Sequence, residues 1–369
     1  MKILKQNLFF SLLAVLLFSA CNRTEAPDEN VQLANRIDLM ADSILSSQKL
    51  PGMVVGVWAP QKRLTYLKGK GIADISTQSP VTPELVFRAG SNTKTFTVTM
   101  ILQLVDEKKL KLDDKLSLFI PDFHNGDKIT IRNLANMTSG IKEYTATTGF
   151  QNIFNNDPLH NWTSEEIIGL IKNEELQFTP GTKGHYSNSN TIILGAIIEK
   201  VTAKTLAQNY QSRILSPLHL RHTVFPNGPS MPYSYMHGYE TDQDPNIYDF
   251  DVSTYFDPSY AGAAGAMISN AGNLKTWVEN LVHGTLLSRE VQAQRFSGLP
   301  IPDKHATIYG LGMLTFGDGY WGHTGELFGY SSIMMHNPTT GSTVVIAYNY
   351  QNQVNLPDNF YRKIVKLLK

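Results

Sequence analysis

The sequence predicts an α+β fold: one antiparallel sheet built from both ends of the chain, flanked by helices, with an inserted helical lobe. Segments rich in β-branched and aromatic residues, which are typical of strands, occur within 53–73 and return after residue 308. Between them, apolar residues recur at helical spacing. Because each face of a sheet must be covered, this order of elements is most simply satisfied by one sheet that packs against helices.

The individual elements follow from the pattern of apolar residues along the chain. A helix is predicted over 31–49 and ends at Pro51-Gly52, and strands at 53–58 and 64–73 form a hairpin. Asn270 is the predicted N-cap of a later helix. Further helices are predicted at 93–109, 131–137, 163–173, 189–201, 204–215, 270–283 and 356–368. Further strands are predicted at 308–316, 320–324, 330–337 and 342–349, of which the last two form a hairpin.

The composition is that of a globular protein with a large core. The chain has 369 residues, of which 42% are hydrophobic and 17% are charged, and this excludes an intrinsically disordered chain. The 32 Lys and Arg residues balance the 32 Asp and Glu residues, so a nucleic-acid-binding protein is not expected. The length fits about two domains, or one unit with two lobes.

Residues 1–20 have the pattern of a secretory signal peptide. Two lysines precede an apolar run over 8–20, which is too short for a transmembrane helix of about 20 residues. The following Cys21, the only cysteine, resembles the lipidated cysteine of a bacterial lipobox; the alternative is an ordinary cleaved signal followed by an unmodified cysteine. We expect 21–30 to be the lipidated residue and its tether. The protein is then an outer-membrane lipoprotein that faces the periplasm, with display at the cell surface as the alternative.

Three Ser-x-x-Lys segments are candidates for a serine nucleophile with a lysine base, beginning at Ser46, Ser91 and Ser139. Residues three apart on a helix share one face, so the amine can reach the hydroxyl. Ser46 lies on an exposed helix, and Ser139 precedes a glycine that disfavours a helix. Ser91 opens an apolar helix, whose dipole favours negative charge and whose burial lowers the pKa of Lys94. Ser91 and Lys94 are therefore the favoured pair, and a helix N-cap is the alternative role of Ser91.

Two further motifs follow this pair: Tyr186-Ser187-Asn188, and His323-Thr324-Gly325 on a predicted strand. In type and order, the three motifs resemble those of the class C β-lactamases and the low-molecular-mass D-alanyl-D-alanine carboxypeptidases. Residues 134–140 resemble a further segment of this family. The resemblance covers about 31–350 and implies a β-lactamase/transpeptidase-like fold.

The order of the predicted strands and helices also predicts a division of the chain into two lobes. An α/β lobe would comprise about 31–90 and 265–369, with 351–369 as its C-terminal helix. A helical lobe would comprise about 91–264.

Each motif residue acquires a role from the resemblance. Ser91 would attack an acyl carbonyl and form an acyl-enzyme, with Lys94 as base and with Tyr186, as phenol or phenolate, sharing the proton transfer. The backbone N–H groups of Ser91 and Glu326 would form the oxyanion hole. The substrate would be held by Asn188, His323, Thr324 and Gly325, and the glycine would allow close approach to the backbone.

The third motif begins with histidine where class C β-lactamases usually carry lysine. A histidine with an ordinary pKa is mostly neutral at pH 7, so this difference points towards the carboxypeptidase and esterase branches. Two roles for His323 stay open. A protonated His323 would bind a substrate carboxylate, whereas a neutral one would contribute hydrogen bonds and shape.

These observations predict a periplasmic, lipid-anchored serine hydrolase that acts on D-Ala-D-Ala-type peptides or related amides and esters. The alternatives are an esterase or weak β-lactamase of the same family, and a penicillin-binding sensor protein that is acylated slowly. The expected ligand is a small peptide, ester or β-lactam, with no cofactor, no metal and no nucleic acid. We expect a monomer whose only membrane contact is its lipid anchor.

Overall fold

The computed structural model describes residues 28–241, 250–351 and 356–369. The predicted signal segment, Cys21 and most of the predicted tether lie outside the described residues. The helices are α1 (Glu29–Ser47), α2 (Thr93–Asp106), α3 (Ile131–Ala135), α4 (Thr148–Asn156), α5 (Ser164–Gly169), α6 (Asn188–Thr202), α7 (Leu206–Tyr210), α8 (Gly262–Gly265), α9 (Ala271–His283), α10 (Arg289–Arg295) and α11 (Leu356–Leu368). Within the described ranges, no helix is both long and apolar enough to cross a membrane.

The strands are β1 (Gly52–Ala59), β2 (Leu64–Asp74), β3 (Ser79–Pro80), β4 (Phe87–Arg88), β5 (Tyr239–Glu240), β6 (Phe250–Asp251), β7 (Ile268–Ser269), β8 (Leu299–Ile301), β9 (Ala306–Tyr309), β10 (Leu314–Thr315), β11 (Trp321–Leu327), β12 (Tyr330–His336) and β13 (Thr343–Tyr348). The main sheet is antiparallel and has the order β3-β2-β1-β13-β12-β11-β10-β9-β8. Strand β1 lies between β2 and β13, so Met53 pairs with both Lys70 and Tyr348. The sheet is therefore built from both ends of the chain, as the sequence predicts.

Both faces of the sheet are covered by helices. Alternate residues of a strand point to opposite faces of the sheet. In β1, the side chain of Val54 belongs to a core formed with α2, α6 and α9. The side chains of Met53 and Val55 belong to a second core, on the opposite face, formed with α1 and α11. Since β1 and β13 are buried on both faces, they carry nearly continuous apolar runs. The helices inserted between the two groups of strands lie on the α2 side of the sheet.

Helix α2 runs through the centre of this side and is buried along nearly its whole length. Phe96 stacks on Trp277 of α9 with the ring centroids 4.1 Å apart, and the Trp277 indole N–H donates to Thr95 Oγ1 at 2.7 Å. The Thr97 hydroxyl donates to Ala263 O at 2.6 Å. The polar side chains of the buried helix α2 are thus hydrogen-bonded to residues of α8 and α9. These hydrogen bonds fix the position of the residues just before α2.

Most predicted elements are confirmed with shifted ends, and one differs. The first helix, the first hairpin and the last helix correspond to α1, β1–β2 and α11, and Asn270 caps α9 by accepting a hydrogen bond from the N–H of Asn273 at 2.9 Å. The predicted strand 308–316 is two strands, β9 and β10. The chain reverses between them, where the Gly310 N–H donates to Met313 O at 2.8 Å and Gly312 has a φ of +74°, a conformation that favours glycine.

Candidate active site

Ser91 lies in a short 3₁₀ turn immediately before α2. Gly90 has a φ of +55°, and a Cβ atom added to it would lie 2.6 Å from the backbone nitrogen of Glu326, so only glycine fits here. Asn92 fixes the turn from the inside, because its amide donates to Ser332 Oγ of β12 at 2.8 Å. The turn is therefore held against β11 and β12, with Ser91 half-buried at the edge of a cleft.

The amine of Lys94 is fully buried and faces three oxygen atoms, Ser91 Oγ at 2.9 Å, Asn188 Oδ1 at 2.6 Å and Ala264 O at 2.7 Å. Burial lowers the pKa of Lys94 from 10.5 to about 7, so the neutral amine is well populated at neutral pH. The two amide oxygens can only accept, so a neutral amine donates its two N–H bonds to them and keeps its lone pair for the Ser91 hydroxyl. Lys94 is thereby placed to accept the Ser91 proton.

Tyr186 and Asn188 belong to the segment that leads into α6. Asn188 is the first residue of that helix, and its backbone N–H donates to Glu143 Oε2 at 2.5 Å. The Tyr186 hydroxyl interacts with Ser91, and Lys94 Nζ lies 5.0 Å from the centre of the Tyr186 ring. Burial raises the pKa of Tyr186 well above its usual value. Of the two forms considered for this residue, the phenol is therefore the resting one, which makes Tyr186 a proton donor and leaves Lys94 as the base.

The backbone N–H of Glu326 points towards the turn that carries Ser91. Leu327 pairs with Tyr330 across the tight connection between β11 and β12, and successive N–H groups along an antiparallel pair point in alternate directions. Glu326 thus directs its N–H away from β12, in agreement with its close approach to Gly90. The Ser91 N–H precedes α2, where the first N–H groups have no partner within the helix. The N–H groups of Ser91 and Glu326 are therefore candidates for an oxyanion hole.

His323 is buried, and both of its ring nitrogens have partners within the protein. Nδ1 lies 2.5 Å from Thr324 O and Nε2 lies 2.9 Å from the Tyr309 hydroxyl. Because a carbonyl only accepts, Nδ1 carries the proton and Nε2 accepts from Tyr309. Burial and the nearby Lys94 lower the pKa of His323 to about 3. Of the two roles left open for His323, the neutral one is therefore favoured.

Gly325 has a role in packing. A Cβ atom on Gly325 would lie 2.0 Å from Ala89 O and 2.7 Å from Asn92 Nδ2. This glycine therefore lets β11 pack against the turn that carries Ser91, and its contact with a substrate stays a prediction. Thr324 is half-buried on the same strand, and its carbonyl oxygen accepts a hydrogen bond from Nδ1 of His323.

The other two Ser-x-x-Lys segments are placed differently. Ser46 is exposed on α1. Ser139 is buried, and its hydroxyl donates to Asn190 Oδ1 at 2.5 Å, while Lys142 forms an ion pair with Glu174 at 3.0 Å. Ser139 thus forms its hydrogen bond with Asn190, and Lys142 forms its ion pair with Glu174. These two residues do not interact as a nucleophile and base, and their interactions stabilise the local structure.

The cleft beside Ser91 has a volume of about 370 Å³. Its lining includes two charged side chains that sequence reasoning missed, Glu143 and Lys304, and an aromatic wall of Tyr144, Tyr260 and Phe328. Glu143 closely follows the family-like segment 134–140, and this proximity is a signal that could have indicated it. Lys304 lies in a turn between β8 and β9 that belongs to no motif, so nothing in the sequence singles it out.

The fold and this site define a serine hydrolase of the β-lactamase type. A family model described as "Beta-lactamase" matches residues 33–366, and the chain belongs to that family. The predicted family, fold and enzyme class are thereby confirmed.

Known relatives and solved structures agree with this assignment. The "Protein flp" of Staphylococcus aureus (strain MRSA252) is 27% identical over 327 residues, which make up 86% of this chain and 63% of that protein. The chain thus spans less than two thirds of the length of this curated relative. A D-stereospecific amidohydrolase from Streptomyces sp. is 30% identical, with a TM-score of 0.75 over 87% of this chain and 94% of the other. The D-amino acid amidase from Ochrobactrum anthropi SV3, complexed with D-phenylalanine, shares the fold at 24% identity, with a TM-score of 0.80 over 91% and 98% of the two chains.

Proposed function

We propose that this protein is an acyl-enzyme amidohydrolase in which Ser91 is the nucleophile and Lys94 the base. The observation that carries the proposal is the bonding of Lys94: two of its three neighbours can only accept hydrogen bonds, and the third is the Ser91 hydroxyl at 2.9 Å. A lysine whose pKa lies near 7 can take a serine proton at physiological pH.

The proposed reaction has two steps. In acylation, Lys94 accepts the Ser91 proton, Ser91 Oγ bonds to the amide carbonyl carbon, and the N–H groups of Ser91 and Glu326 stabilise the oxyanion. The C–N bond then breaks as the Tyr186 phenol gives its proton to the leaving nitrogen, and Tyr186 recovers a proton from the Lys94 ammonium. In deacylation, water attacks the ester, gives a proton to the same pair, and Ser91 leaves with its hydroxyl restored.

The carboxylate of Glu143 favours an acyl group that carries a free ammonium. Glu143 lies on the cleft wall next to the aromatic residues Tyr144 and Tyr260. A carboxylate beside an aromatic wall suits a protonated amine attached to an apolar or aromatic side chain. The neutral His323, in contrast, offers no charge to a carboxylate. The two amidohydrolases among the solved relatives support amides of D-amino acids as the substrate class.

A panel of substrates tests this proposal. D-phenylalanine amide, its L enantiomer, its N-acetyl derivative, an acylated D-Ala-D-Ala peptide, nitrocefin and an uncharged p-nitrophenyl ester are compared under one set of conditions. We expect the highest kcat/KM among the amides for the D-amide with a free amine. A higher kcat/KM for nitrocefin would identify a β-lactamase instead. A label from fluorescent penicillin that persists without turnover of any substrate would identify a sensor.

The Glu143→Gln variant is expected to raise KM for the amine-bearing amide by about 10- to 100-fold, which corresponds to the usual strength of a hydrogen bond between charged groups. Glutamine keeps an oxygen that can accept from the Asn188 N–H, so the local structure should persist. Steady-state kinetics with the N-acetylated amide are the control, since that substrate has no ammonium to lose. Equal losses for the two substrates would contradict the ammonium-binding role.

We further propose that the protein is a lipid-anchored monomer of the cell envelope, facing the periplasm. The support is the signal-like pattern of residues 1–20 and the single Cys21. The Cys21→Ser variant is expected to move from the membrane fraction to the soluble fraction and to lose incorporation of a labelled fatty acid. Retention of the variant in the membrane fraction would contradict the anchor.

A further inference from the structure

The Tyr186 ring lies near two lysine ammonium groups. Lys94 Nζ and Lys304 Nζ each lie 5.0 Å from the ring centroid. Lys94 approaches from α2, whereas Lys304 comes from the turn Pro302–Lys304 between β8 and β9 and lines the cleft. Among the side chains that the structure describes, none forms an ion pair with Lys304.

We propose that Lys304 supplies the positive charge that the third motif lacks at His323, and that this charge holds Lys94 in its neutral, basic form. The proposal deepens the proposed function and rests on it, because it concerns the base of that same reaction. Lys304 is a positioning residue in this sense: it acts on the reaction through Lys94 and Tyr186, and the acyl transfer itself does not need it.

The charges that face Lys94 explain why an added cation matters. Glu143 faces it from the loop before α4 and Glu326 from β11, and both carboxylates raise the pKa of Lys94. Burial and the ammonium of Lys304 act in the opposite direction. The neighbouring His323 is neutral and adds no charge. Lys304 therefore adds to the effect of burial and offsets part of the effect of the two carboxylates, which favour the charged, non-basic form of Lys94.

The surroundings of Lys304 add one more titratable group. Asp358, near the beginning of α11, is buried, and burial raises its pKa to about 7 although Arg362 and, more weakly, Lys304 lower it. Glu326 interacts with the same aspartate. Because Asp358 titrates in the range where Lys94 does, any pH profile has to be measured both with Asp358 and with the Asp358→Asn variant.

The test is a charge series at position 304. Lys304→Arg, Lys304→Met and Lys304→Glu are compared for the rate of acylation by an uncharged p-nitrophenyl ester between pH 5 and pH 10, with and without Asp358→Asn. An uncharged ester excludes any contribution from the binding of a substrate carboxylate. Lys183→Met is the matched control, because Lys183 is an exposed lysine 4.9 Å from the Phe178 ring and lies in the segment before Tyr186.

The acid limb of the profile reports deprotonation of Lys94, and removal of a nearby positive charge raises its pKa. We therefore expect Lys304→Met to move the limb upwards by about half to one pH unit, with a larger shift for Lys304→Glu. Lys304→Arg and Lys183→Met should keep the original limb. The rate at high pH should change less than about twofold in every variant, and the shift should shrink as salt is added, because Lys304 is partly exposed.

Three outcomes would overturn the inference. A loss of rate at all pH values with an unmoved limb would assign Lys304 a structural role. An unmoved limb with the ester, together with a raised KM when the same variants are assayed with the acylated D-Ala-D-Ala peptide, would assign Lys304 to the binding of a substrate carboxylate. Absence of any acylation in the unmodified protein would refute the proposed function and this inference with it, and that result is distinct from the first two.

Discussion

The Ser91→Ala variant is expected to lose all covalent labelling by a fluorescent penicillin or a fluorophosphonate and to lose at least about 10³-fold in turnover. The reason is local. Ser91 lies just before α2, and its hydroxyl faces the buried amine of Lys94. Intact-mass spectrometry after incubation with the probe measures the labelling directly.

Two other serines serve as matched controls. Ser46→Ala should leave labelling and stability unchanged, since Ser46 is exposed on α1. Ser139→Ala should still be labelled but should lose about 1–3 kcal/mol of unfolding free energy, because Asn190 Oδ1 is left without its hydroxyl partner in a buried site. Persistent label on Ser91→Ala would contradict the assignment of the nucleophile.

The Lys94→Met variant is expected to lower kcat/KM by about 10² to 10⁴-fold, the usual range for a positioned acid–base group. In the unmodified protein the base is the neutral amine, and its pKa is about 7. The neutral fraction grows as pH rises, so kcat/KM should increase with pH through about 7 and then level off. The residual activity of Lys94→Met should lack this limb. A pH series with the uncharged ester measures both effects.

Lys142→Met is the control for this prediction. Lys142 also lies three residues after a serine, but its ammonium is paired with Glu174 on the surface, and such a pair contributes little to stability. Its replacement should leave both the rate and the pH profile unchanged. A limb near pH 7 that persists in Lys94→Met, both with Asp358 and with Asp358→Asn, would show that another group is the base.

The sequence predicts the fold because its strongest patterns coincide with burial. Strands β1 and β13 are apolar along their whole length since they lie at the centre of a covered sheet, and α2 is apolar because helices surround it. The division of the predicted strand 308–316 was missed because Gly310 and Gly312 turn the chain within an otherwise β-like run. Helix α4 was also missed, because its buried Phe154 stacks on residues far along the chain, Phe256 and Phe328.

Some features of the active site follow from local spacing along the chain, whereas others depend on tertiary contacts. The relation of Ser91 to Lys94 follows from helical spacing, so the sequence alone indicates it. The protonation state of His323 depends on Tyr309 and on burial, which no spacing along the chain reveals. The ammonium of Lys304 lies close to the Tyr186 ring only because tertiary structure places the β8–β9 turn beside the cleft. The charges that tune the site are therefore set by tertiary structure.

The position of β1 between β2 and β13 has a consequence for how the chain is made. As the chain emerges N-terminus first, β1 and β2 can pair early, but the other edge of β1 has no partner until residues of β13 follow. Contacts between such distant residues slow folding, because a long loop must close before they form. The central sheet is therefore expected to be completed only after the C-terminal residues have emerged. Until then the edge of β1 is open to pairing with other chains, so early folding intermediates should depend on chaperones to avoid aggregation.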